Sequence, residues 1–234
     1  MNKFFDLVIF DCDGVLVDSE VLAVEVDKRI LAELGWHLST DEIVEKFLGT
    51  SSASFTEKVE AHLGYQLPPG WDDQYNPWFD EAFESDLQAV EGVEAALDEI
   101  TALTCVASSG SHTKIRKTLG LTGLFPRFAG RIFSATEVEY GKPAPDLFLH
   151  AAERMGVDPE RCVVIEDSAY GVRAAQSAGM HVFGYAGGLT PAERLRGAGA
   201  IVFDAMSELP DLLRQHRPGH RRTDREEPPV GDQA

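Results

Sequence analysis

Asp11 and Asp13 stand two residues apart directly after the apolar run Leu7–Phe10, and other reactive groups follow apolar runs in the same way. Ser108, Ser109 and Gly110 follow Leu103–Ala107. Lys142, between Gly141 and Pro143, lies in the loop beyond the weaker run Arg131–Ser134, and Glu166-Asp167-Ser168 ends Cys162–Ile165. In an open parallel sheet, ligands bind outside the carboxyl ends of the strands, so these carboxylates, the hydroxyl and the ammonium are expected along one edge. Carboxylates packed together repel one another and require a cation. Oxygen-only ligands favour Mg²⁺, which is held by one or two carboxylates, waters and a substrate phosphate. An Asp is ionised at neutral pH and attacks without help from a base. In extended chain, residues two apart project to the same side about 6.5–7 Å apart. One of Asp11 and Asp13 can then attack phosphorus while the other handles the leaving group's proton. Ser108, the amides of Ser109 and Gly110, and Lys142 suit the phosphoryl oxygens. The chemistry this set supports is phosphoryl transfer.

Each residue also has a plainer role to weigh. An acid placed directly after Val8-Ile9-Phe10 is costly unless paired or metal-bound, and Glu166-Asp167 follows Val163-Val164-Ile165 under the same constraint. Ser109 and Gly110 serve equally well as a simple turn. A lone Lys142 would read as a surface lysine, but Pro143 restricts the chain direction before it. Asp146 suits the first turn of a helix, where a negative charge meets the macrodipole. Asp18, Ser19 and Glu20 suit a hinge and a helix start, His112 a surface turn, and Trp36, Trp71 and Trp78 the core of their segment. Cys12, Cys105 and Cys162 form no CxxC pair and read as reduced core residues of a cytoplasmic protein. The seven histidines show no ligand spacing, which argues against a zinc site.

The elements that must position these groups follow from the hydrophobic pattern. Besides the runs already named, His181–Tyr185 and Ala200–Phe203 are nearly continuous in hydrophobicity, as strands covered on both faces are. Helical punctuation lies between them. Pro145 suits a first helical position, Gly179 a stop after Ala169–Ala178, and Thr190-Pro191-Ala192-Glu193 an N-cap with a capping box. Between the first two runs the pattern is helical: Glu20–Leu34, Asp41–Phe47, Ser52–Leu63 and Asp72–Leu87, with Gly35 and Pro68-Pro69-Gly70 as breaks. The expected fold is α/β, a doubly wound, Rossmann-like parallel sheet with an inserted α-helical cap. Residues 1–15 and 90–216 would form the core, 16–89 the cap, and 217–234 a disordered tail.

Composition narrows the partners. The 234 residues carry 39 acids against 21 bases, a formal charge of −18 that disfavours DNA, RNA and anionic lipid. Arg214, Arg217, Arg221, Arg222 and Arg225 crowd one end, yet Asp224, Glu226, Glu227 and Asp232 accompany them and the remainder is acidic by itself. No run approaches the roughly 18 apolar residues of a membrane span, and Asp6 interrupts Phe4–Phe10 before it could serve as a signal peptide. The expected partner is a small phosphorylated metabolite, with the chain a monomer or weak homodimer.

Phe10-Asp11-Cys12-Asp13-Gly14-Val15-Leu16-Val17-Asp18-Ser19-Glu20 resembles the first motif of the haloacid-dehalogenase-like superfamily. Val106-Ala107-Ser108-Ser109, Gly141-Lys142-Pro143-Ala144-Pro145-Asp146 and Val164-Ile165-Glu166-Asp167-Ser168 look like the remaining three, in the family's order and across most of the chain. A helical cap directly after the first motif is similar to the β-phosphoglucomutase-like subgroup, which includes many sugar-phosphate phosphatases. Phe83–Ile115 looks like the corresponding region of 6-phosphogluconate phosphatase-type proteins. The resemblance implies that Asp11 is a nucleophile that becomes an aspartyl phosphate and ligates Mg²⁺. It implies that Asp13 is the acid/base, with its main-chain carbonyl on the metal, Ser108 the phosphate-binding hydroxyl and Lys142 the stabilising cation. Glu166 and Asp167 match the acidic pair that holds Mg²⁺.

Departures from the family pattern bear on substrate. Asp13 argues against dehalogenation, because the ancestral dehalogenases usually lack it. A phosphonate-cleaving cap lysine has candidates in Lys28, Lys46 and Lys58, but helical lysines are usually solvated. In the loop Phe47-Leu48-Gly49-Thr50-Ser51-Ser52, Ser52 stands where the mutases carry an Arg for a second phosphate. Gly110-Ser111 stands where they carry Ser-Lys. The expectation is a phosphomonoester hydrolase for a sugar or sugar-acid phosphate, with a β-phosphoglucomutase-type phosphomutase or a non-catalytic phosphometabolite-binding protein as alternatives.

Overall fold

The computed structural model describes residues 5–48, 50 and 52–216. The expected tail, 217–234, lies outside the described residues, as do Gly49 and Ser51 of the loop before Ser52. The sheet has six strands: β1 (Leu7–Phe10), β2 (Leu103–Ser108), β3 (Ile132–Ser134), β4 (Cys162–Glu166), β5 (His181–Tyr185) and β6 (Ile201–Phe203). All pair in parallel, in the order β3-β2-β1-β4-β5-β6, which is the doubly wound arrangement expected from the sequence. β1 is central, and each of its residues is fully buried. Alternate side chains leave a strand on opposite faces. Val8 and Phe10 therefore join one apolar cluster with Val106, Ile165 and Phe183, while Leu7 and Ile9 join a second with Cys105, Val164 and Val182.

After β1 the chain first builds the four helices of the insertion: α1 (Ser19–Glu33), α2 (Thr40–Phe47), α3 (Ser52–Leu63) and α4 (Asn76–Asp86). They enclose their own apolar cluster around Ile30, Leu31, Ile43, Val59, Trp71 and Tyr75, with Trp36 and Trp78 packed against it. Ser39 starts α2 through a capping box, accepting from the Glu42 amide at 3.3 Å while Glu42 accepts from the Ser39 amide at 2.8 Å. Gly35 ends α1 at φ +83, a backbone conformation that favours glycine. The expected helix Asp72–Leu87 is instead a 3₁₀ turn, Asp73–Tyr75, followed by α4. Pro77 explains the break, since it lacks an amide proton and suits a first turn. The two crossings between insertion and core pair with each other. Val17 bridges Ala89, the Asp18 amide donates to Gln88 at 3.0 Å, and the Val90 amide to Leu16 at 3.0 Å.

Helices α5 (Val93–Glu99), α6 (His112–Leu121) and α7 (Phe125–Phe128) pack on the first face of the sheet, and α8 (Asp146–Met155), α9 (Ala169–Ser177) and α10 (Ala192–Gly197) on the second. The last helix, α11 (Leu209–Gln215), returns to the first face through Leu209. Two helix starts differ from expectation. Pro145 precedes α8 rather than opening it. α10 begins at Ala192 with no side-chain cap, because Pro191 at ψ 134 stays extended; Thr190 is itself buried. All three cysteines are free and buried, as expected. Among the described residues, no helix is long and apolar enough to cross a membrane.

Candidate active site

The ends of β1, β2 and β4 meet as adjacent strands, so their loops share one edge of the sheet. The Asp11 amide donates to Ile165 at 3.0 Å, which fixes Asp11 beside Glu166. The next residues turn sharply, and Gly14 adopts φ +74. A Cβ there would collide with the Asp167 carboxylate, so glycine is required both by conformation and by close approach. Gly171, in the first turn of α9, is needed for a related reason: its missing side chain leaves the space that the Glu166 carboxylate occupies.

Lys142 joins the loop beyond β3 to this edge through an ammonium that is 2.7 Å from Asp11 Oδ1 and 2.5 Å from Glu166 Oε1. The Lys142–Pro143 peptide is cis. Glu166 Oε2 accepts from the Ser168 amide at 2.9 Å and the Ser168 hydroxyl at 2.8 Å, so both of its oxygens are fixed. Ligand atoms of Asp11, Glu166 and Asp167 lie within 4.8 Å of one another. One ammonium faces three buried carboxylates. Burial pushes Asp11 up to about 7, against the pull of the Lys142 charge and with the Glu166 charge adding to it. Burial also acts against the Lys142 charge, but Asp11 and Glu166 outweigh it and the ammonium is held above its usual range. Asp167 is pushed well above the carboxylate range by burial, then by Glu20 and Glu166.

Asp167 Oδ2 and Glu20 Oε2 are buried without a donor. Burial raises Glu20 to about 7, and the charges of Asp13, Asp11 and Glu166 add to it. An all-oxygen donor set, an excess of negative charge and an undonated Asp167 oxygen together fit a hard divalent cation such as Mg²⁺.

The other expected residues fall into two groups. Asp13 is not part of the three-carboxylate cluster. Its Oδ1 accepts from Ser19 at 2.6 Å and its Oδ2 from the Lys114 ammonium at 2.8 Å. Ser108 is buried, its hydroxyl accepting from the Gly110 amide at 3.1 Å, and the Gly110 carbonyl accepts from Ser134 at 2.6 Å. Ser109 is exposed at the tip of that turn. His112 stands beside Glu137 at 3.1 Å rather than in the cluster.

Sequence reasoning missed Lys114 and gave Glu20 only a structural part. Lys114 had a signal. Ser111 caps α6 and places Lys114 in its first turn, where a cation opposes the macrodipole unless a carboxylate compensates it. Glu20 had none, because an acid in a first turn is what a helix start prefers in any case.

The pattern of haloacid dehalogenase-like hydrolases matches residues 5–179, most of the chain and every residue of the cluster. The chain belongs to this family. It is 34% identical over 179 residues to the 6-phosphogluconate phosphatase of Escherichia coli (strain K12), covering 76% of this chain and 81% of that one. It is 42% identical over 194 residues to the fructose-1-phosphate phosphatase of the same organism, covering 74% and 92%. Among solved structures, a haloacid dehalogenase-like protein of unknown function from Agrobacterium tumefaciens str. C58 superposes with a TM-score of 0.83 at 39% identity, covering 90% and 98%. The hydrolase expected from the four motifs is thus what the chain is, and the two Escherichia coli relatives are phosphatases of a phosphorylated sugar acid and a phosphorylated sugar.

Proposed function

We propose that this hydrolase is a Mg²⁺-dependent phosphomonoesterase for small sugar or sugar-acid phosphates, acting through an aspartyl phosphate on Asp11. The observation that carries the reading is the Asp11 carboxylate, set between the Lys142 ammonium and the Glu166–Asp167 pair at the end of a fully buried strand. Asp11 attacks phosphorus, and Asp13 gives a proton to the departing alcohol as its P–O bond breaks. Asp13 then takes a proton from the water that attacks the aspartyl phosphate, which releases phosphate and restores Asp11. Ser19 and Lys114 keep Asp13 at the mouth of the site meanwhile. Ser108 and the amides of Ser109 and Gly110 bind the phosphoryl oxygens, and Lys142 offsets their charge. Asp11, Glu166, Asp167 and the Asp13 carbonyl would hold Mg²⁺, which supplies further charge neutralisation at the transferring group.

Residues 1–15 and 90–216 serve as the core and 16–89 as a cap that closes over the leaving group and excludes water. Buried free thiols support a cytoplasmic enzyme, which we read as a monomer or weak homodimer.

Phosphate release from a panel of sugar, sugar-acid, polyol and nucleotide monophosphates tests this, with Mg²⁺ or EDTA. We expect metal-dependent release concentrated on one or two compounds, and a loss of at least about 10³-fold in Asp11→Asn. Full turnover by Asp11→Asn would overturn the mechanism. Isomerisation of β-glucose 1-phosphate without net release would favour the mutase, and ligand-induced stabilisation without turnover the binding protein.

A further inference from the structure

The turn Ser108–Gly110 is anchored from the side that faces away from the carboxylates. β2, which ends in Ser108, lies between β1 and β3, and Ser108 is in register with Ser134 at the end of β3. Ser134 is fully buried, and its hydroxyl gives its one proton to the Gly110 carbonyl at 2.6 Å. That carbonyl is drawn towards β3, on the far side of β2 from Asp11, where its partial negative charge does not oppose phosphoryl oxygens. The Gly110 amide donates to the Ser108 hydroxyl at 3.1 Å and closes the turn. What holds Ser134 is Glu137. The two residues cap the 3₁₀ turn Ala135–Glu137 reciprocally: Ser134 Oγ accepts from the Thr136 amide at 3.2 Å, and Glu137 Oε2 accepts from the Ser134 amide at 2.7 Å.

A reciprocal cap alone would close a short turn and do no more. Here the same Glu137 oxygen has a second task. His112, the first residue of α6, places Nε2 3.1 Å from Oε2. A carboxylate only accepts, so Nε2 carries the proton. His150 on α8 stands 3.8 Å from Oε1. Burial acts to raise Glu137, but the Ser134 amide, His112 and His150 outweigh it and hold the carboxyl below its usual range. One carboxylate thus grips the turn at both ends, at Gly110 through Ser134 and at the start of α6 through His112. Among the described residues no hydrogen bond or ion pair links Glu137 or His112 to Asp11, Glu166 or Asp167. Resting on the phosphatase reading, we propose that Glu137 is a positioning residue for the transferring phosphoryl group: through Ser134 and His112 it sets where the turn Ser108–Gly110 stands relative to Asp11. Such a turn has little slack, because a misplacement of about 1 Å in a positioned group can cost on the order of 10²-fold in rate.

Inorganic phosphate, the product common to every substrate of the panel, is the probe, with binding followed by calorimetry in the presence of Mg²⁺. Glu137→Ala is expected to weaken phosphate binding about tenfold or more, and to raise KM for the best substrate more than it lowers kcat. Mg²⁺ affinity measured without phosphate should not change. Glu137→Gln keeps an acceptor oxygen for both the Ser134 amide and His112, and should retain most of the phosphate affinity. Glu137 and His112 are each about one-third exposed, so neither Glu137 substitution opens an apolar layer. Ser134→Ala acts on the same chain of bonds, so combining it with Glu137→Ala should be little worse than the weaker-binding single variant. The positioning role would be overturned by phosphate affinity and KM unmoved in Glu137→Ala, by Mg²⁺ and phosphate affinity falling together, by Glu137→Gln binding as weakly as Glu137→Ala, or by additive losses in the double variant. Absence of phosphate release by wild-type protein would instead overturn the phosphatase reading, and phosphate calorimetry would still decide the role of Glu137.

Discussion

Lys142 is the only basic side chain bonded to Asp11 and Glu166 among the described residues, and its own ammonium is almost entirely enclosed. Removing one partner of a buried ion pair costs about 3–5 kcal/mol, since the other charge is left without compensation. Lys142→Met should therefore lower activity and also lower the metal-free melting temperature by several degrees. Added Mg²⁺ should recover more of that loss than it adds to wild type, because the cation then supplies charge the lysine no longer does. A melting curve with and without Mg²⁺ measures both; equal Mg²⁺ shifts in the two proteins would refute the charge argument. The residues of this cluster were legible in the sequence, because each follows a strand and strand ends collect on one edge. Lys114 and the Glu20–Asp167 contact were less so. Their meaning comes from which helix end faces which loop, and that is set by packing between segments about 100 residues or more apart.

Asp27 makes the clearest case among the elements. It is half-buried on α1, and burial pushes it up to about 7. An acid whose folded pKa lies above its unfolded value of 3.8 holds its proton more tightly when folded. It thus favours the fold at low pH and weakens it progressively as pH rises from about 4 through 7. Asp27→Asn should stabilise the protein at pH 8, by on the order of 1 kcal/mol after allowance for its partial exposure. At pH 5 it should do much less. Denaturant unfolding of both proteins at the two pH values decides it, and an equal effect at both would exclude titration as the cause. At this scale the strands were readable as continuous apolar runs. The helix starts were less so: the breaks at Pro77 and Pro191 depend on whether a proline opens a helix or stays extended before it, and the same residue type does either.

Across the whole molecule, two apolar layers cover the sheet and a third fills the insertion. Cys12 and Cys105 lie on opposite sheet faces, and Cys162 is joined to the second. Burial raises all three thiols, Cys162 to about 12. Folded protein at pH 8 should therefore leave a thiol reagent almost unconsumed for hours, and denatured protein should consume three equivalents. Rapid reaction of one thiol in folded protein would show that its layer opens. The helical character of the segment between the first two strands was legible from the long interval without strands.

The central place of β1 carries a consequence for synthesis. Its two hydrogen-bonding neighbours are β2, which begins at Leu103, and β4, which begins at Cys162. A nascent chain therefore emerges from the ribosome with its most apolar strand first and both partners still unmade. The four helices of the insertion come next, and their contacts are local enough to form at once. The insertion thus stands as a finished unit on a chain whose first strand is still open on both sides. Such an edge invites pairing with other chains. An mRNA cut short before the codon for Cys162 would consequently yield a product with an ordered helical part, an exposed sheet edge and an incomplete carboxylate cluster, a natural client for chaperones and proteases.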